Sequence, residues 1–240
     1  MINQWLRQSV LFISLFLSQV FARAQSYNIK TFEGDNATIK LTYKVLTTRT
    51  LAVSYLKDTL FLDDYMFLDK VQVYGKFLQI TYDIRGGSGL GLISTLILSI
   101  IKGEINVAMH VTSGIELVSP DKERTYKLKF KRMVEDNNRY KMLVGVHDEH
   151  RSRLHPQTNY TKDQRVTLMY DSSQNIFYGT HEDIADSFSV YDLQKQQWNR
   201  QEVKGAVPVI TLGEVTYYYI KEEWYKRYDD TLVKYAYRKI

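Results

Sequence analysis

Apolar and polar positions alternate along most of this chain with the period of two that lets a strand bury one face and wet the other. Ile39, Leu41, Tyr43 and Val45 are interleaved with Thr38, Lys40, Thr42 and Lys44. Leu78, Ile80, Tyr82 and Ile84 alternate with Gln79, Thr81 and Asp83, and Tyr126, Leu128 and Phe130 with Lys127, Lys129 and Lys131. Strands half-solvated in this way predict antiparallel sheets. Turn residues fall between the runs: Lys102-Gly103, Glu135–Asn138, Asp171–Asn175 and Gly213-Glu214 each predict a hairpin. Leu90–Ile101 is almost wholly apolar, too short and too β-branched for a membrane helix, and reads as a fully buried strand. The fold class is therefore all-β, an antiparallel β-sandwich or barrel-like meander of about ten to twelve strands with little helix.

Two stretches break the pattern. Thr180–Ser187 carries Thr180 as an N-cap with Asp183 three residues on, which predicts a short helix. Lys221–Tyr237 mixes periods, with Trp224, Tyr228 and Leu232 at helical spacing and Val233, Tyr235 and Tyr237 at strand spacing; strand is favoured for its second half.

The first twenty-four residues have a different character. Arg7 precedes an apolar run, Val10–Val20, followed by the small-x-small triplet Ala22-Arg23-Ala24, and no acidic residue occurs before Glu33. This is the pattern of a secretory signal peptide cut before Gln25. Residues 25–240 then form one β-rich domain. Removing Arg7 and Arg23, and no acid, lowers the net charge from +5 to +3, too little for a nucleic-acid partner by charge alone. With no cysteine there is no disulfide, thiolate metal site or lipoprotein anchor. The expected address is the periplasm, cell surface or exterior of a bacterial envelope, without a helical membrane span.

Four features invite a functional reading. His147, His150 and His155 lie within nine residues of each other beside Glu149, a set of imidazoles and a carboxylate suited to a divalent metal such as zinc. Their spacing fits no zincin pattern, and the neighbouring arginines oppose a cation, so a polar surface loop is the plainer reading. In the loop from Arg85 to Gly91, Arg85 is a candidate anion contact, although the glycines lack the lysine of a P-loop and read more simply as a flexible connection. Tyr218, Trp224 and Tyr225 belong to an aromatic-rich C-terminal stretch whose flat faces and polar tips suit sugar rings, while β-propensity alone explains many such residues. Lys127, Lys129 and Lys131 form a basic stripe that either discourages edge pairing or meets an anionic glycan or lipid headgroup.

No G-x-S-x-G elbow is present, and acidic neighbours such as Asp63-Asp64 would point to opposite faces of a strand. The expectation is an exported, non-catalytic protein that binds a glycan or envelope protein through an aromatic and basic surface. Its rivals are an outer-membrane β-barrel, for which strands such as Tyr126–Lys131 are short, and a metal-assisted hydrolase built on the histidines.

Overall fold

The structure, a computed structural model, describes residues 22–44, 50–63, 65–84, 87–136, 139–192, 195–228, 231–234 and 237–239. The leader expected over residues 1–24 lies outside them up to residue 21. Four strands open the described chain as an antiparallel meander: β1 (Ala22–Lys30), β2 (Asn36–Lys44), β3 (Leu51–Tyr55) and β4 (Asp58–Leu62). Eight more follow in sequence order as a second antiparallel sheet: β5 (Tyr65–Tyr74), β6 (Phe77–Ile84), β7 (Leu90–Ile101), β8 (Glu104–Val118), β9 (Lys122–Asp136), β10 (Arg139–Ser152), β11 (Tyr160–Asp171) and β12 (Ile176–Tyr178). The four predicted hairpins are present, three of them in this sheet.

Alternation dictates how the two sheets stack. Ile39 and Leu41 of β2 and Val53 of β3 meet Leu78 and Ile80 of β6 and Leu96, Leu98 and Ile100 of β7 in one buried core. Ile97 of β7 points the other way, into a second core. Strand β7 is therefore covered on both faces, which is why Leu90–Ile101 carries no charged residue and its polar side chains, Ser94, Thr95 and Ser99, are small and buried.

The far half of the large sheet curls. The β8–β9 ladder runs only from Gly114–Lys127 to Val118–Glu123. Strand β12 comes back to lie against β8, where Asn106 Nδ2 donates to the Asn175 carbonyl at 2.6 Å. Met109, Val111, Tyr126, Val144, Leu168 and Phe177 fill the inside of the curl. Phe32, from the β1–β2 turn, packs with Phe77, Tyr140 and Tyr170 at ring separations of 5.3–5.8 Å and so ties the first sheet to this second core.

The remaining strands close on themselves: β13 (Thr180–Asp192), β14 (Gln197–Leu212), β15 (Val215–Ile220), β16 (Glu223–Tyr228) and β17 (Thr231–Lys234) form a five-stranded barrel, sealed by a parallel ladder from Ser189–Thr231 to Asp192–Lys234. Phe188, Val190, Val209, Tyr218, Tyr225 and Leu232 pack its interior. Strand β18 (Tyr237–Lys239) then returns to pair with β4.

The helix expected at Thr180–Ser187 is instead the start of β13. A ladder of thirteen residue pairs with β14 outweighs a local capping signal. The ambiguous C-terminal stretch is strand over Glu223–Tyr228, Thr231–Lys234 and at Tyr237, and Lys221-Glu222 makes a two-residue hairpin in which both residues take positive φ, 51° and 65°. Such turns favour Asn and Gly, so their sequence signal is missing here. The all-β class holds, and the described residues form eighteen strands, more than the ten to twelve expected, because several are short: β3, β4, β12 and β15 to β18.

Candidate functional site

The curl stops short of closure, and a cleft lies along the seam. Its walls are β8 and the turn before β12 on one side and β14 and the β15–β16 hairpin of the barrel on the other, enclosing about 830 Å³. Ligand pockets commonly occupy about 300–1,000 Å³. Ile105, Val107, Val207 and Pro208 supply apolar wall, and Asn106, Gln174, Asn175, Tyr219 and Glu222 supply polar groups. Asn106 is fixed by its amide, which also donates to Ser99 Oγ at 3.2 Å. Tyr219 is half-buried, its ring 5.1 Å from that of Trp224. Burial, reinforced by Glu222 and Glu223, pushes its phenol up to about 12. Tyr219 therefore keeps its proton and can donate a hydrogen bond throughout the physiological range.

The aromatic residues singled out in the sequence lie behind this wall. Trp224 is fully buried in the core between barrel and curl, and Tyr218 and Tyr225 pack inside the barrel. The Tyr218 hydroxyl receives a hydrogen bond from Arg227 Nη1 at 2.5 Å and donates to Glu182 Oε2 at 3.1 Å, while Tyr225 donates to Glu223 Oε2 at 3.0 Å. Alternation in Tyr217-Tyr218-Tyr219 sends the middle ring inward and leaves Tyr219 at the cleft. Tyr218, Trp224 and Tyr225 are thus buried, and the aromatic ring that lines the cleft is that of their neighbour, Tyr219.

The histidines are not brought together. His147 and His150 fall within β10, three residues apart, so strand geometry sends them to opposite faces. His147 Nδ1 is 3.0 Å from Asp163 Oδ1, with Glu149 at 3.8 Å from its other nitrogen. His150 stacks on Tyr160 at 5.6 Å, and His155 is exposed at the start of a 3-10 turn, Pro156–Thr158. Among the described residues no group of three or more His, Cys, Asp or Glu is placed to hold a metal ion.

Arg85 lies outside the described residues. Further along its loop, Gly89 takes φ of 74° and accepts the Val118 N–H at 2.9 Å. A Cβ there would stand 2.4 Å from the Val118 carbonyl oxygen, so this glycine is required by close backbone packing. Of the lysine stripe, Lys127 pairs with Glu116 at 2.8 Å. From Leu128 onward β9 has a ladder with β10 alone, so Lys129 and Lys131 stand on an edge, where lysine discourages further pairing.

The joint between barrel and curl holds the charges that sequence reasoning missed. Asp148, 1% exposed, receives a bidentate bond from Arg124 at 2.9 and 3.1 Å. Lys226 of β16 reaches Thr112 Oγ1 at 3.5 Å and lies 4.8 Å over the Tyr228 ring. Burial, with a smaller push from Arg124, lowers its ammonium to about 8. Tyr126 donates to the Leu212 carbonyl at 3.0 Å and the Tyr217 hydroxyl accepts the Thr112 N–H at 3.1 Å. Lys162 pairs with Glu214 at 2.5 Å. Apart from the neighbours Lys226 and Tyr228, these partners are 24 to 114 residues apart, and no local pattern announces them.

No protein-family model matches the chain, and comparisons with curated proteins and with solved structures return no match.

Proposed function

We propose that this is an exported protein that acts by binding, and that its ligand is a glycan held in the cleft between the curled sheet and the barrel. The observation that carries the reading is the composition of that cleft, with a half-buried tyrosine face beside fixed amides and a carboxylate. Sugar rings present an apolar face that packs on an aromatic ring and hydroxyls that pair with amide and carboxylate groups. The leader-like first twenty-four residues support delivery to the periplasm or exterior, where such polymers lie.

Titration calorimetry of the full chain against a panel of neutral oligosaccharides tests the reading. At least one is expected to bind with a Kd below about 1 mM, corresponding to about 4 kcal/mol. Tyr219→Ala is expected to weaken it at least tenfold. Absence of heat across the panel, or binding unchanged by both Tyr219→Ala and Gln174→Ala, would overturn the assignment.

A further inference from the structure

We propose that the outer face of β9–β11, on a different part of the molecule from the cleft, is a docking surface for a linear anionic polysaccharide. The face is built by a β-bulge. Leu143 stands opposite Arg132 and Val144 opposite Phe130, which leaves Lys131 as the extra residue, and Lys131 and Arg132 are both exposed. Gly145 of β10 sits between Lys129 on one side and Arg165 of β11 on the other. A Cβ on Gly145 would lie 3.0 Å from Lys131 Cε and 3.6 Å from its Nζ, so the lysine chain lies over the hollow the glycine leaves.

Four cations thus lie close together on one exposed face, Lys129 and Arg165 on either side of Gly145 and Lys131 and Arg132 at the bulge. Beside it, Lys127 pairs with Glu116, His147 Nδ1 lies 3.0 Å from Asp163 Oδ1 and Arg151 pairs with Glu149. Among the described residues Lys129, Lys131, Arg132 and Arg165 make no ion pair with a carboxylate. Like charges on neighbouring strand positions repel, so this grouping is a standing electrostatic cost to the free protein. An anionic partner turns that repulsion into attraction, and the arginines can hold carboxylate or sulfate oxygens in pairs.

The shape selects among polyanions. Lys129 to Arg165 spans two interstrand steps, about 10 Å, so the cations form a row suited to a chain with repeated charges. None of the exposed large apolar residues lies on β9–β11, so the face lacks a ring for nucleic-acid bases or a wedge for a lipid layer.

The test uses the full chain, with polygalacturonate and dextran sulfate as probes, neutral dextran as the blank and phosphatidylglycerol vesicles as the membrane arm. Binding to at least one polyanion is expected, falling with salt, and at least tenfold weaker in Lys129→Gln/Lys131→Gln/Arg165→Gln. The charge-matched variant Lys40→Gln/Lys57→Gln/Lys70→Gln is expected to lose less than twofold, and Tyr219→Ala to lose nothing, which separates this face from the cleft. Circular dichroism checks that each variant is folded. Equal losses in the two triple variants, binding to neither polyanion, or capture only by the vesicles would each overturn the proposal.

Discussion

The five-stranded barrel and the curled half of the large sheet solve the same problem in different ways. Both wrap strands around an apolar core, Phe188, Tyr218 and Leu232 in one, Met109, Val144 and Phe177 in the other. The barrel completes the turn, because β17 reaches β13 and their parallel ladder removes both edges. The curl does not, and at its seam β12 touches β8 through the side chain of Asn106. Closure leaves a filled interior with polar caps, such as Arg227–Tyr218–Glu182. Incomplete closure leaves backbone and amide groups beside an opening, and the cleft is there. In this molecule the less finished of two similar structures is the one with room for a ligand.

The two bodies are locked through one joint, and breaking it is the severest test of that contrast. Trp224→Ala removes a fully buried indole from between them and is expected to cost about 3–5 kcal/mol, read by urea denaturation. A lowered m-value would show barrel and curl unfolding separately. Asp148→Asn uncouples Arg124 from its carboxylate. Since Arg124 is partly exposed, a loss of about 2 kcal/mol is expected, below that of a fully buried pair. Tyr126→Phe leaves the Leu212 carbonyl without its hydroxyl partner and is expected to cost about 1–2 kcal/mol in the same assay.

Lys226 sharpens the contrast through pH. Its ammonium is lowered from 10.5 to about 8 in the folded chain. Below pH 8 it is charged in both states, and burying it is a standing cost. Between pH 8 and 10.5 the folded chain sheds the proton first, so the cost fades as pH rises. Lys226→Met is expected to stabilise the protein by about 1 kcal/mol at pH 7 and by clearly less at pH 10. A gain constant with pH would mean that packing, and not charge, is responsible. The smallest effect belongs to the seam. Asn106→Ala is expected to cost under about 1 kcal/mol globally while hydrogen exchange accelerates in β12 and not in β15.

Much of the local structure was legible in advance. The described part of the period-two run from Ile39 (to Lys44), Leu78–Ile84 and Tyr126–Lys131 are strands, and the largely apolar Leu90–Ile101 is buried on both faces. The exceptions have identifiable causes. Thr180–Ser187 carries a helix start that a long ladder overrides, and Lys221-Glu222 turns the chain without the Asn or Gly that usually marks such a hairpin. The candidate site was legible only to its neighbourhood: the aromatic stretch was found, but Tyr218, Trp224 and Tyr225 were chosen where Tyr219 lines the cleft. Likewise the histidines cluster in sequence, yet His147 and His150 diverge because odd spacing on a strand separates them.

What the sequence by itself determined is what depends on neighbours a few residues apart: the strand class, the faces of each strand and most turns. Only the tertiary structure decided which strands close into a barrel, that β12 halts beside β8, and that a bulge gathers Lys129, Lys131, Arg132 and Arg165 around Gly145. Those outcomes depend on pairing between segments tens of residues apart. Period-two patterning sets which face is buried without specifying which strand lies alongside.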